Sequence, residues 1–413
     1  MSSSAWEEYI VKDVCESVID CVNKTAPIVD YETPYKMIRT TNVKMGRINL
    51  VGARYVEKVI FEKWTRRAVP KVGDVILTRE APLGDVGMIT TPSEKIFLGQ
   101  RLMQYRADQE KLDSNFLLYA LQGSYIQGQL KAAGSGSTVE HVRVGDAENL
   151  KIKLPNLRVQ KELGQLLRNY DNLIENNNRR IAILEDMAQS LYQEWFIKFR
   201  FPGHQKIKFK ESSLGLIPEG WEIKAASEVI EIAPKMSLPK SGEKPFVSMP
   251  NISTTSMVID EIEMREGNSG TKFINGDTLL ARITPCLQNG KTGFVQFLDE
   301  INPVGFGSTE FIVMRSKELT PEFVYCLARS DSFRGNAINS MAGADGRQRV
   351  KNECFNSYYL PVPPKINLEK FSEIVAPAFK EVFTLNQKNK NLRKQRDMLL
   401  PKLISGGISL EVA

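Results

Sequence analysis

Histidine and cysteine are scarce and dispersed: the only histidines are His141 and His204, and none of Cys15, Cys21, Cys286, Cys326 and Cys354 forms a Cys-x-x-Cys pair. Zinc sites and disulfide scaffolds need such clusters, so neither is expected. A Ser/His/Asp or Cys/His catalytic set is equally hard to assemble from two histidines in non-equivalent places. No apolar run approaches the ~18 residues of a membrane span, and the opening MSSSAWEEYI lacks the basic and apolar regions of a secretion signal. A soluble, cytoplasmic chain without membrane contact is the expectation. Charge of one sign is also modest, 55 basic against 49 acidic side chains for a net +6, which permits nucleic-acid binding without arguing for it.

Motifs for chemistry are missing as well. Gly290-Lys291-Thr292 resembles the end of a phosphate-binding loop, but Pro285 stands where the first glycine of that loop belongs. There is no Gly-rich turn of a dinucleotide or methyl-donor fold. There is no Asn/Asp-Pro-Pro-aromatic motif of amino methyltransferases either, since Val362-Pro363-Pro364-Lys365 lacks both flanks. Glu222-Ile223-Lys224 has the Glu-x-Lys of a metal-dependent nuclease, yet the nearest preceding aspartate, Asp186, lies across a linker in a predicted helix. No catalytic residue, no metal site and no cofactor-binding residue is therefore expected in this chain.

What is present is a repeat. The 413 residues, 42% hydrophobic and 25% charged, suffice for two or three domains with real cores. Similar segments recur in order at a spacing of roughly 200 residues. WEEYIVKDV from Trp6 faces WEIKAASEV from Trp221, and YKMIRTTNV faces FVSMPNI, which sets Asn42 opposite Asn251. The best-matched block sets Gly73-Asp74, Leu77, Arg79 and Pro82 opposite Gly276-Asp277, Leu280, Arg282 and Pro285. A short predicted helix follows in each copy, from Phe116 and from Phe323, then a polar loop, then a strand ending on Leu154-Pro155 or Leu360-Pro361.

After each Leu-Pro the apolar period changes from strand-like to helical, with steps of 4 and 3 residues. The first seam contains Leu163, Leu167, Tyr170, Ile174, Asn177, Ile181, Leu184, Ala188, Leu191 and Trp195. The second contains Phe371, Val375, Ala378, Val382, Leu385, Asn389, Leu392, Arg396, Leu399 and Leu403. Pro377 is expected to start or kink the second helix. A helix of about 40 residues is roughly 60 Å long and, with so narrow a seam, needs a partner. The two helices are expected to pair with each other, Asn177 and Asn389 fixing the register; the alternative is that each packs on its own domain. The resulting division is a first globular domain over 1–155, a first long helix over 156–200, a linker and second globular domain over 201–361, and a second long helix over 362–413.

The remaining candidates are polar residues on loops. Arg79 and Arg282 each leave a strand just before a Pro-containing loop, where an arginine can donate two hydrogen bonds to guanine O6/N7, hold a phosphate, or pair within its own domain. The loop with Ser135, Ser137, Thr138, His141 and Arg143 faces the loop with Asp345, Arg347, Gln348 and Arg349. Copies that share a frame and differ in donors and acceptors suit the reading of different bases. Arg39, Asn42 and Lys44, with Ser248 and Asn251, complete the DNA-contact set, the asparagines having turn formation as their alternative role.

The ordered set resembles the specificity subunit of type I restriction-modification systems. The resemblance rests on LGLIPEGWEI (Leu214 to Ile223), the repeated Gly-Asp block, Leu-Pro before each long helix, and the endings SLYQEWFIKF (Ser190 to Phe199) and DMLLPKLISGGI (Asp397 to Ile408). GADGRQRV and Thr284-Pro285-Cys286 depart from the family pattern in the second copy. The resemblance implies an α+β fold with two mixed α/β target recognition domains separated by two long antiparallel coiled-coil helices in a pseudo-twofold repeat. It implies that each domain reads one half of a bipartite, asymmetric site on double-stranded DNA. The helices would set the spacer and dock two methyltransferase subunits, to which two restriction and translocation subunits add. S-adenosylmethionine, ATP and magnesium would belong to those partners, this chain being non-catalytic. A stand-alone DNA methyltransferase or nuclease, and a coiled-coil scaffold without DNA binding, are the rival readings.

Overall fold

The computed structural model describes residues 6–90, 95–134, 140–344 and 346–408. The chain forms two compact units, Met1–Ile174 with Asn391–Ala413, and Glu175–Lys390. Both boundaries fall inside the long helices, so each unit holds one globular domain and stretches of both helices.

The first unit contains strands β1 (Glu7–Ile10), β2 (Cys15–Asp20), β3 (Tyr35–Ile38), β4 (Val43–Lys44), β5 (Gly46–Ile48), β6 (Arg54–Tyr55), β7 (Val75–Arg79), β8 (Leu83–Met88), β9 (Lys95–Leu98), β10 (Leu102–Ala107) and β11 (Lys151–Leu154). Helices α1 (Lys58–Trp64), α2 (Ser114–Gln122), α3 (Ser124–Ala133) and α4 (Val144–Glu148) precede the long α5 (Leu157–Tyr192). One sheet runs β2-β10-β7-β8-β5-β4, a second β6-β3-β9, and β1 pairs antiparallel with β11. The continuous apolar run Val75-Ile76-Leu77 makes β7 a buried central strand. Asp113 caps α2, its carboxylate accepting from the Phe116 N–H at 2.9 Å.

The second unit contains the hairpin β12 (Phe209–Ser212) and β13 (Gly215–Pro218), then β14 (Glu222–Ala225), α6 (Ala226–Val229), β15 (Ile230–Ile232), β16 (Glu243–Val247), β17 (Glu263–Glu266), β18 (Thr271–Phe273) and β19 (Thr278–Ala281). It continues through β20 (Thr292–Phe294), β21 (Gly305–Gly307), β22 (Phe311–Ser316), α7 (Pro321–Arg329), α8 (Asp331–Asn339), β23 (Tyr359–Val362) and the long α9 (Lys365–Ile404). The repeat is visible in the topology. The order β15-β22-β19-β20 matches β2-β10-β7-β8, and β14 pairs with β23 as β1 does with β11. Likewise β16 is antiparallel to β17 and parallel to β21, as β3 is to β6 and β9.

The Gly-Asp block has a structural cause. Gly73 and Gly276 adopt left-handed φ of 91° and 90°, turning the chain into β7 and β19. The carboxylate of Asp74 accepts from the Lys71 N–H at 2.7 Å and receives Arg106 through Nε and Nη2, both at 2.8 Å. Asp277 accepts from the Ile274 N–H at 2.8 Å and receives Arg315 through the same two nitrogens at 2.8 and 2.7 Å. Both carboxylates are almost fully buried, so the bidentate arginine supplies the countercharge for their lost hydration, with the backbone N–H and, at Asp74, Gln104 Nε2 at 2.8 Å completing their hydrogen bonds.

The long helices pack on their domains and on each other. In the first unit Leu163 and Leu167 of α5 share a core with Phe116, Leu117 and Tyr119 of α2 and with Leu403 of α9. In the second unit Ile181, Ala188, Tyr192, Trp195 and Phe196 share a core with Phe323 of α7 and with Phe371, Val375, Phe379, Val382 and Leu385 of α9. Ile174 is also buried, whereas Tyr170, Asn177, Leu184, Leu191, Leu392 and Leu399 are half-buried. Asn177 Nδ2 donates to Asn389 Oδ1 and Asn389 Nδ2 to Asn178 Oδ1, both at 2.9 Å, while Arg180 meets Glu381 at 2.8 Å. Partner numbers fall along α9 as they rise along α5, so the helices run antiparallel.

Two features differ from the sequence pattern. Helix α9 starts at Lys365, well before Pro377, and continues through it. Pro377 lies on the exposed side between buried Val375 and Phe379, which hold the helix where one backbone hydrogen bond is lost. Tyr192 and Phe379 are also more buried than the seam positions Leu191 and Ala378, because a 3.6-residue helix drifts off a 3.5-residue repeat. The wide turn Gln193–Ile197 continues α5 and brings consecutive Trp195 and Phe196 both into the core.

Asp277→Ala is expected to destabilise the second unit by about 3–5 kcal/mol, because Arg315 is left uncompensated. Urea unfolding of the full chain reads the loss, which Asp277→Ala with Arg315→Met should partly restore.

Candidate nucleic-acid interface

Three backbone segments run side by side at the end of the central sheet in each unit. In the first, the Arg79 N–H donates to the Arg101 carbonyl at 2.8 Å, the Val142 N–H to the Arg79 carbonyl at 3.0 Å, and Glu80 bridges His141. In the second, the Arg282 N–H donates to the Glu310 carbonyl at 2.9 Å, the Val350 N–H to the Arg282 carbonyl at 2.8 Å, and Ile283 bridges Arg349. This makes Arg79, Glu80, Arg101 and His141 the counterparts of Arg282, Ile283, Glu310 and Arg349. The next turn holds a cis peptide bond in both units, at Ala81-Pro82 and Thr284-Pro285.

The two strand-end arginines face inward. Arg79 Nη1 donates to the Val142 carbonyl at 2.9 Å and Arg282 Nη2 to the Val350 carbonyl at 2.8 Å. Each Nε is buried without a hydrogen-bond partner. Their guanidinium groups thus brace the loop that follows, the within-domain role that an arginine here has as its alternative to a base.

Asn42 is likewise turned in. It is 3% exposed, its Oδ1 accepts from the Arg39 N–H at 2.9 Å, and its Nδ2 donates to the carbonyls of Asn49 and Val51. Asn251 repeats the turn, accepting from the Ser248 N–H at 2.6 Å and Oγ at 2.7 Å and donating to Glu261 at 3.1 Å. These amides, and the Ser248 hydroxyl, are spent on chain reversal and leave no full edge for a base. Arg39 is half-buried, with Nη2 3.3 Å from the Gly52 carbonyl.

The outward-facing candidates are Lys44, His141, Arg143, Arg347 and Arg349, all exposed, with Gln348 half-buried and its N–H donating to Thr284 Oγ1 at 3.1 Å. Ser135, Ser137, Thr138 and Asp345 lie outside the described residues. The Asn42 turn joins the patch through Thr40 Oγ1, which donates to the Ala81 carbonyl at 2.9 Å. The Asn251 turn is tied by Lys291 Nζ, which donates to the Met249 carbonyl at 2.8 Å.

Sequence comparison missed Arg101, Glu80 and Glu310. Arg101 forms an ion pair with Glu80 at 3.1 Å, and Glu310 takes a bidentate fork from Arg349. Self-comparison finds matched residue types, whereas Arg101 answers to Glu310 and Glu80 to Ile283. The left-handed φ of 71° at Arg101 sets that position apart only once the fold is known. The Arg349 guanidinium beside it holds the Glu310 carboxyl below the usual carboxylate range. Exposed cations and mixed donors on a hydrogen-bonded frame suit contact with phosphate oxygens and base edges.

Arg79→Met is expected to leave the Val142 carbonyl unpaired, costing about 1–3 kcal/mol. Hydrogen exchange over residues 140–148 should quicken, with little change over the corresponding segment of the second unit.

A family model described as "Type I restriction modification DNA specificity domain" matches residues 3–186 and again residues 218–394. The type I restriction enzyme MjaIX specificity subunit of Methanocaldococcus jannaschii is 23% identical over 374 residues, spanning 87% of this chain and 83% of that protein. The EcoEI specificity subunit of Escherichia coli is 35% identical over 178 residues, 41% of this chain and 29% of that one. The crystal structure of a type-I restriction-modification S subunit from M. genitalium shares the fold, with a TM-score of 0.59 and 15% identity over 98% of this chain and 97% of the other. A double match over most of the chain, to a domain whose repeated architecture is the one described above, means that this chain belongs to the DNA specificity subunits of type I restriction-modification systems.

Proposed function

We propose that the chain is the non-catalytic reader of a type I restriction-modification complex, each globular domain recognising one half of a bipartite, asymmetric site on double-stranded DNA. The observation that carries this reading is the three-segment frame, built alike in both units and carrying different charges at equivalent positions. Arg101 answers to Glu310, and His141 to Arg349. One frame holds the reader against the duplex; different donors and acceptors select different bases.

The helices α5 and α9 act as spacer and as docking surface for two methyltransferase subunits, with two restriction and translocation subunits completing the assembly. Their exposed apolar residues, Leu173, Ile183 and Met187 on α5 and Ile366, Ile374 and Met398 on α9, support a docking role. S-adenosylmethionine, ATP and magnesium serve the partners' chemistry. No helix among the described residues is long and apolar enough to cross a membrane, and the proposed site of action on DNA is the cytoplasm.

Inserting four residues into each of α5 and α9 adds about 6 Å and should lengthen the unspecified spacer by one or two base pairs. Mapping methylated adenines after co-expression with the partner methyltransferase measures it; an unchanged spacer contradicts the helices as ruler. DNA affinity should also fall steeply with salt, through counterion release. Methylation or cleavage by the purified chain alone would establish an enzyme instead, and salt-independent absence of DNA binding by the assembled complex a scaffold.

A further inference from the structure

On the three-segment frame each recognition domain carries an exposed arginine braced by a carboxylate, but the two arginines arise from different segments. In the first unit Arg101 Nε lies 3.1 Å from Glu80 Oε2, on the neighbouring segment. In the second, Arg349 donates through Nε to Glu310 Oε2 at 2.9 Å and through Nη2 to Oε1 at 2.6 Å, reaching across the segment of Ile283. The position equivalent to Arg101 is the brace Glu310, and the position equivalent to Arg349 is His141. The cation has moved from one flanking segment to the other.

A guanidinium has two edges for paired hydrogen bonds, one through Nε and Nη2 and one through the Nη1/Nη2 end. The carboxylate engages the Nε side in both units. Among the described residues Nη1 of Arg349 makes no hydrogen bond and its Nη2 uses one of its two N–H groups on Glu310, while neither Nη of Arg101 makes one, so the Nη1/Nη2 end keeps an N–H on each nitrogen. The arginine side chains are 51% and 49% exposed, the carboxylates 27% and 23%, so the brace is set into the surface and the cation stands out from it. Bracing removes rotamer freedom before any ligand arrives, which favours a directional contact over a loose one. Arg101 also holds a left-handed backbone that an arginine adopts only when its surroundings enforce it.

Resting on the reading of this chain as a DNA specificity subunit, we propose that Arg101 and Arg349 are the specificity-determining arginines of the two half-sites. Each donates its Nη1/Nη2 end to O6 and N7 of one guanine in the major groove. Glu80 and Glu310 are positioning residues. Because the cation is displaced by two strand spacings, roughly 10 Å, the guanine occupies a different place in the two half-sites relative to the frame.

The test uses the full-length chain co-expressed with its methyltransferase partner, with methylated adenines mapped across the host genome. The unaltered complex is expected to yield a two-part motif with a fixed guanine in each half. Arg349→Ala should relax one base of one half, by about 5- to 150-fold in discrimination, and leave the other half intact. Arg101→Ala should do the reverse, and Glu310→Gln should partly relax the same base as Arg349→Ala. If a variant directs too little methylation to map, selecting bound duplexes from a randomised pool with the same complex reads the same base preference. An unchanged motif, with affinity lowered uniformly and a salt slope reduced by about one, marks phosphate contacts and overturns the proposal. Absence of any two-part motif from the unaltered complex would instead overturn the underlying functional reading.

Discussion

The apolar stripe of each long helix has to be covered, and neither copy of the repeat covers the whole of its own. The first unit takes its last core residues from the end of the second copy's helix, where Leu403 is 1% exposed among Leu163, Leu167 and Phe116, with Leu399 and Ile404 packed alongside. The second unit takes Ile181, Ala188, Tyr192, Trp195 and Phe196 from the end of the first copy's helix. Burial of one such side chain contributes roughly 1.5–3 kcal/mol, so several together are a large part of a domain's stability. Within each unit, the core is thus completed by the end of the other copy's helix.

The same backbone carries different chemistry in the two copies. At the junction of helix and domain, Tyr119 donates to Asp171 Oδ2 at 2.6 Å and Arg396 to Asp171 Oδ1 at 2.5 Å, a buried polar node. The counterparts in the second unit are Tyr325, Phe379 and Ala188, where Tyr325 and Phe379 meet edge to face at 5.4 Å. One junction is held by charge and hydrogen bonds and the other by apolar packing. The proposed reading surface diverges on the same principle, keeping the Arg79 and Arg282 braces while exchanging the exposed ion pairs.

Periodicity and self-comparison made the architecture legible. A change of apolar period after each Leu-Pro marks both long helices, and Asn177 and Asn389 stand at polar positions of largely apolar seams, where they hydrogen-bond in the structure. The repeated Gly-Asp is equally readable, because a left-handed glycine and a buried carboxylate leave little choice of residue. The proposed recognition surface was less legible for the opposite reason. Matching copies finds what both keep, and what both keep at this surface is scaffold: Arg79 and Arg282 hold carbonyls, Asn42 and Asn251 hold turns. Arg101 and Glu310 carry opposite charges and pair with residues distant in sequence, so only the fold brings their roles together.

Exchange of helix ends between the copies is tested most directly by Leu403→Ala in the full chain, with hydrogen exchange followed across both units. The account predicts a loss of about 2–5 kcal/mol, with faster exchange in α2 and β10, remote in sequence from position 403, and protection retained in β19 and β22. Faster exchange confined to the last turns of α9, with the core of the first unit unchanged, would contradict it.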